Sequence, residues 1–222
     1  MFVVGGENLI DFIQENSVDG LPRYHALAGG SPYNVAKALA LQEVDTGYLT
    51  PVSSDSLGDL LVRGLPDQNL TLLAARSALP TSLAVVSFKA GQPEYRFYRE
   101  NTAERDVNFE SLNASMPKTI SGFYIGSLAI TDGADADAWE SAWITAHRAG
   151  IFTTIDPNIR PAFIKDRDGY LARLNRMLAK ADLIKLSDED IGWISPQRFC
   201  SKKLYETHSI GHDDSPAATR GG

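Results

Sequence analysis

The chain has 222 residues, 43% of them hydrophobic and 22% charged, which is enough apolar material for one sizeable globular domain and requires no second. A formal net charge of −7, with no basic stripe interleaved with aromatic residues, excludes a polyanion-binding surface, so nucleic acid is not expected as a partner. The longest apolar runs, such as 83–86, fall far short of a membrane span, and Met1-Phe2-Val3-Val4 meets Glu7 and Asp11 without a basic leader, so a cytoplasmic protein with no membrane partner is expected.

In chain order, apolar and β-branched runs predict strands at 2–4, 9–13, 47–52, 123–125, 152–155 and 183–185. Helices are predicted at 32–42, 57–64, 135–149 and 169–179, the third ended by Gly150. Their alternation with the strands gives the α/β class, a Rossmann-type, mainly parallel sheet flanked by helices. Between the second helix and residue 123 the pattern breaks. There 81–88 and 94–99 are strand-like and joined by Ala90-Gly91-Gln92-Pro93, a hairpin that would form a small β lid at about 81–99. A two-stranded hairpin is marginal by itself, and Tyr95, Phe97 and Tyr98 need cover, so a homodimer through the lid is expected.

Composition shifts after residue 196. Residues 197–222 hold the one cysteine, two of the four histidines and few large apolar side chains, and they read as an unrelated disordered tail behind a domain at 1–196. Cys200 alone can form no internal disulfide and reads as a bystander thiol. His208 and His212 stand beside Asp213 and Asp214, but a metal site needs a rigid frame, so no metal site is predicted.

The segment that points to chemistry is Gly29-Gly30-Ser31-Pro32-Tyr33-Asn34-Val35-Ala36. Ser31 suits a helix N-cap and Pro32 the first helical position, which puts Asn34 in the first turn. The glycine pair permits positive φ and close approach of a ligand to the main chain, while the helix end offers free N–H groups to oxygen atoms. An ordinary tight turn before a helix has the same letters.

Context decides between them, because the segment resembles the amino-terminal signature of the ribokinase-like, or PfkB, sugar kinases. Six further runs resemble that family in order: Gly6-Glu7-Asn8-Leu9-Ile10-Asp11-Phe12, Ser54-Asp55-Ser56-Leu57-Gly58-Asp59, Pro80-Thr81-Ser82-Leu83-Ala84-Val85-Val86, Tyr95-Arg96-Phe97-Tyr98-Arg99, Asp156-Pro157-Asn158-Ile159-Arg160-Pro161 and Lys185-Leu186-Ser187-Asp188-Glu189-Asp190. The last two look most like fructokinases and 2-keto-3-deoxygluconate kinases. The resemblance implies transfer of the γ-phosphoryl group of ATP to a sugar hydroxyl, with ATP and Mg2+ as cofactors of complete relatives and their binding by this chain left open.

By the same resemblance, Asp11, Gly29, Gly30 and Asn34 hold a small-molecule sugar, and Arg99 and Arg160 offer forked contacts to a carboxylated sugar or a phosphate. A carboxylate accepts two hydroxyl bonds and an amide both donates and accepts, so Asp11 and Asn34 suit a polyol. Asn158, Lys185 and Asp190 fall on the phosphate and nucleotide side. For Asp190 the alternative is helix capping, since Ser187-Asp188-Glu189-Asp190 is close to a capping box.

The chain departs from the family after Pro196. The Gly-Ala-Gly-Asp signature that carries the family's catalytic-base aspartate and anion hole is absent, so no catalytic residue is assigned. A frameshift or misjoined reading frame is the simplest explanation, and the expected product is a truncated, inactive sugar kinase. The alternative is a non-catalytic sugar-binding pseudo-kinase. An oxidoreductase reading of Gly5-Gly6 fails, because no Gly-x-Gly-x-x-Gly follows.

Overall fold

Alternation along the strands sorts side chains onto the two faces of a parallel sheet, and each face is roofed by helices. The computed structural model of the protein describes residues 1–15, 20–89 and 92–195. The main sheet contains β1 (Phe2–Gly5), β4 (Thr46–Tyr48), β5 (Leu70–Leu72), β8 (Gly122–Gly126), β9 (Phe152–Asp156) and β10 (Leu183–Ile184). All six run parallel, in the order β10-β9-β8-β1-β4-β5. Val3, Phe123, Ile125 and Ile155 point to one face, against Trp139 and Trp143 of α4 (Gly133–Arg148) and Leu174 of α5 (Arg167–Leu178). Their neighbours Val4, Tyr48 and Tyr124 point to the other, against Tyr33 and Ala36 of α1 (Ser31–Leu41) and Leu61 of α2 (Ser56–Arg63).

Helix α4 shows why these segments fold as they do. Trp139 and Trp143 are one turn apart, with Ala136, Ala142 and Ala146 letting the helix lie close to the sheet. Asp135 in the first turn and His147 and Arg148 in the last match the helix dipole, and Gly150, at φ 75°, ends the segment. Two short helices complete the set, α3 (Phe109–Ser115), boxed by Asn108 and Ser111, and α6 (Asp188–Ile194), boxed by Ser187 and Asp190.

A second sheet stands over the carboxyl end of the first. It is built from β2 (Leu9–Glu15), β3 (Arg23–Gly29), β6 (Leu83–Lys89) and β7 (Gln92–Tyr98), in the order β3-β2-β6-β7. The expected lid hairpin is therefore half of a four-stranded lid, and residues 9–13, expected beside the strands of the main sheet, belong to it. β3 escaped the periodicity argument because most of it is exposed and its one partner strand is β2. β5 and α3 escaped because three and seven residues are too few to show a period. Residues 90 and 91 of the expected turn lie outside the described residues, and Gln92 is already in the strand. The tail expected at 197–222, with Cys200, His208 and His212, also lies outside them.

The order of the main sheet fixes where a ligand belongs. From β1 the chain runs outward to β4 and β5 on one side, then returns to β8, β9 and β10 on the other. The connections switch direction between β1 and β8, and the crevice outside the carboxyl ends of those two strands is where open α/β sheets bind ligands. No helix among the described residues is long and apolar enough to cross a membrane.

Candidate functional site

Three residues, Gly6-Glu7-Asn8, carry the chain from β1 in the floor to β2 in the lid, directly at the switch point. Gly6 takes φ 133°, with its carbonyl receiving the Thr50 hydroxyl at 2.6 Å and its N–H donating to Thr50 Oγ1 at 2.9 Å. Glu7 is 2% exposed. Its Oε1 accepts from the Ser31 N–H at 3.0 Å and its Oε2 from the Leu128 N–H at 3.1 Å. Burial pushes its carboxyl up to about 7, against the pull of the Arg99 charge and the Ser31 N–H.

The Gly-Gly turn meets this carboxylate. Gly30, not Ser31, is the N-cap of α1. It takes φ 112°, and a Cβ there would lie 2.6 Å from the Glu7 carbonyl oxygen, which only glycine avoids. Ser31 is displaced into the first helical position because its N–H is taken by Glu7 rather than left to be capped. Asn34 donates its backbone N–H to Gly30 O at 2.9 Å and presents an exposed side chain one turn inside the helix.

Above this turn sits Asp11. The cross-strand row Leu27, Asp11, Ala84 and Phe97 places Asp11 on the lid face that looks down on the crevice. A Cβ at Gly29 would fall on its carboxylate, so the first glycine of the pair is needed for Asp11 to occupy its place. Burial raises the Asp11 carboxyl above its ordinary value, and no hydrogen bond to it closes within the described residues. A half-buried carboxylate without a partner stands to gain hydrogen bonds from a hydroxyl-bearing ligand.

The floor continues through Ser127 after β8 and Asn158 after β9, two non-glycine residues at positive φ, 58° and 40°, on neighbouring strand ends. Asn158 Nδ2 donates to Ser127 Oγ at 3.4 Å, and its N–H donates to Asp156 Oδ1 at 3.1 Å. Lys185 reaches back from β10 to Asp156 Oδ2 at 3.0 Å. Arg160 follows on the exposed surface, with Nη1 donating to Ile159 O at 3.2 Å. Next to it the 3-10 turn Pro161–Phe163 sets Phe163 edge-on against Phe97 of the lid, ring centroids 4.5 Å apart.

Two expected site residues turn out to be committed within the protein. Arg99, buried where β7 ends, grips Glu104 with both arms of its fork, Nε to Oε1 at 2.7 Å and Nη2 to Oε2 at 3.0 Å. Burial works against its charge and Glu104 restores it, so the guanidinium stays protonated. Asp190 accepts from Ile159 N–H at 2.6 Å and, through its other oxygen, from the N–H and hydroxyl of Ser187 at 2.9 and 2.8 Å. It caps α6 and pins the loop that carries Asn158. Sequence pattern assigns no role to Glu7 and does not single out Ser127, Glu104 or Phe163. A glutamate directly after a strand end and a glycine pair was the available signal for the first.

Asp11, Gly29, Gly30 and Asn34 thus gather around the start of α1, and Asn158, Lys185 and Asp190 around the ends of β9 and β10. Glu7 and the Ser127–Ile130 turn join the two groups. A parallel sheet switched between β1 and β8 and covered at its carboxyl edge by a β lid is the architecture of ribokinase-like carbohydrate kinases. The chain belongs to the pfkB family of carbohydrate kinases, whose description matches residues 2–210. It is 32% identical over 198 residues to a fructokinase of Rhizobium leguminosarum bv. trifolii, covering 89% of this chain and 60% of that protein. Among solved structures, a fructokinase from Xylella fastidiosa superposes with a TM-score of 0.75 at 26% identity, covering 88% of this chain and 62% of that one, and has also been solved with ATP bound. A fructokinase from Vibrio cholerae O395 holding fructose, ADP and a calcium ion has the same fold, with a TM-score of 0.72 at 19% identity over 88% of this chain and 62% of that one. The chain spans about 60% of the length of the relatives it matches.

Proposed function

We propose that this chain carries the sugar-binding half of a fructokinase-like kinase and binds a ketose or sugar acid without transferring phosphate by itself. The observation that carries this reading is Asp11, desolvated and without a partner on the lid face above the Gly29-Gly30 turn. Asp11 accepts two sugar hydroxyls, the backbone at Gly30 allows the ring close, and Asn34 donates to and accepts from a third oxygen. Arg160, exposed at the rim, is free to meet a carboxylate or phosphate. The fork of Arg99 is filled by Glu104, so its part in binding is through the lid root. The fructokinase relatives and the fructose held by the Vibrio cholerae protein support this choice of ligand.

ATP and Mg2+ belong to the reaction of complete relatives. In this chain Asn158 and Lys185 border the position that fits the phosphate side, but Asp190 has both oxygens occupied and no cluster of three metal-binding side chains exists among the described residues. Asp190 therefore has no uncommitted carboxylate oxygen to offer a metal. The 222 residues also contain no Gly-Ala-Gly-Asp. Losing a general base costs about 10² to 10⁴ in rate and losing preorganised donors roughly another 10² to 10³, which puts turnover by this polypeptide below background. Its composition and the lack of a long apolar helix among the described residues support a cytoplasmic location.

The lid also supports a homodimer. Leu27, Phe88 and Tyr95 share its inner face and are 49%, 51% and 61% exposed, an apolar patch that a second lid would cover.

Calorimetry with D-fructose and 2-keto-3-deoxygluconate tests the reading. The expected outcome is weak binding heat, lost in Asp11→Ala, with ATP-dependent phosphorylation at background in the same preparation. Heat that survives Asp11→Ala would remove the site from the lid face. Fructose phosphorylation abolished by Asp11→Ala would overturn the claim of inactivity.

A further inference from the structure

We propose that Glu7 is a positioning residue of the sugar cradle, whose carboxylate sets the Gly30-Ser31 turn against the Ser127–Ile130 turn and ties both to the root of the lid. The inference rests on the sugar-binding reading above and goes beyond it, since Glu7 itself touches no ligand in that reading. Its two oxygens are each given to a backbone N–H from a different wall of the crevice, Ser31 from α1 at 3.0 Å and Leu128 after β8 at 3.1 Å. No helix or strand ladder joins those two segments there.

The third side of the carboxylate faces the lid. Arg99, where β7 ends, acts on Glu7 through its charge while its fork holds Glu104. Glu104 in turn accepts from the Ser82 hydroxyl at 2.9 Å, at the foot of β6, and the same Ser82 oxygen lies 2.7 Å from Thr102 Oγ1. Glu7 thus joins the floor to the cradle through hydrogen bonds and meets the root of the lid through the Arg99 charge. A buried carboxylate is costly, and its two N–H partners and the Arg99 charge offset only part of the burial that raises it. The groups facing it are Arg99 from β7, Glu104 from the 103–105 turn, and the phenols of Tyr48 from β4 and Tyr124 from β8. Burial raises both phenols, and Glu104 keeps Arg99 charged, so between pH 6 and 8 neither type changes state.

Glu7→Gln is the informative variant. An amide has one acceptor oxygen where two N–H groups need one each, so one of the two turns loses its tether while side-chain volume is kept. Measured on the 222-residue chain, amide hydrogen exchange at Ser31 or Leu128 is expected to speed up about tenfold or more, and affinity for D-fructose to fall about tenfold. The pH dependence of that affinity between pH 6 and 8, present in the wild type, is expected to flatten. Unchanged exchange at both amides with unchanged affinity and pH profile would overturn the proposal. If the wild type binds no fructose, the sugar reading fails, and the exchange result still decides whether Glu7 holds the two turns. If Glu7→Gln does not fold, NMR titration of the wild type decides. The Ser31 and Leu128 amide shifts must then move with the Glu7 carboxyl resonance, and amides that ignore that titration overturn the proposal.

Discussion

Glu7 gives the residue scale its sharpest consequence. Its carboxyl titrates near 7 in the folded chain against an ordinary 4.5, so between those values the folded state holds a proton that the unfolded state has released. The sign follows: Glu7 favours the fold at pH 5 and withdraws that contribution as pH rises to 7. Asp11, also raised by burial, works in the same direction. Thermal melts are therefore expected to show a lower Tm at pH 7.5 than at pH 5.5, and Glu7→Gln to remove most of that slope. A Tm that climbs from pH 5.5 to 7.5 would contradict the assignment. Much of this neighbourhood could be read from the letters. Gly29-Gly30 and Asn34 announce a turn into a helix, and Gly30 proves necessary because a Cβ there would strike the Glu7 carbonyl oxygen. The letters do not show that Ser31 N–H is spoken for, because its partner lies 24 residues away and meets it only when β1 and α1 are packed. Arg99 was equally opaque. A forked cation at a strand end looks available until the buried Glu104 is found in it.

At the scale of elements, α6 and the loop after β9 behave as one unit. Asp190 supplies three acceptor contacts, to Ile159, Ser187 N–H and Ser187 Oγ, and is 2% exposed. Asp190→Ala would orphan the buried Ile159 N–H and the part-buried Ser187 N–H and is expected to cost about 1 to 3 kcal/mol, visible as a lower urea midpoint with unchanged m. A loss under about 0.5 kcal/mol would mean that solvent replaces those bonds. The capping box could be read from Ser187 to Asp190, while its reach to Ile159 is tertiary. Strands with strong alternation, such as β1 and β8, were likewise visible. The lid was half visible, because β6 and β7 form a local hairpin, whereas β2 joins β6 across about seventy residues and β3 is an exposed edge.

At the scale of the molecule, two surfaces await cover. The lid face bearing Leu27, Phe88 and Tyr95 is expected to make the protein a dimer at tens of micromolar concentration, measured by light scattering. A monomer whose lid resists proteolysis would rule that out. Phe152 and Leu183, 44% and 54% exposed at the β9–β10 side, form a second apolar stretch beside a short edge strand.

The three-residue passage Gly6-Glu7-Asn8 makes the lid a lever with almost no slack at its pivot. Asp11 stands four residues beyond Glu7 at the middle of the passage, while Glu15 at the far end of β2 stands eight beyond, so a tilt about the passage moves the lid's tip about twice as far as Asp11. Under the proposed sugar-binding reading, such a tilt would open the crevice at the tip while the Asp11 carboxylate travels less.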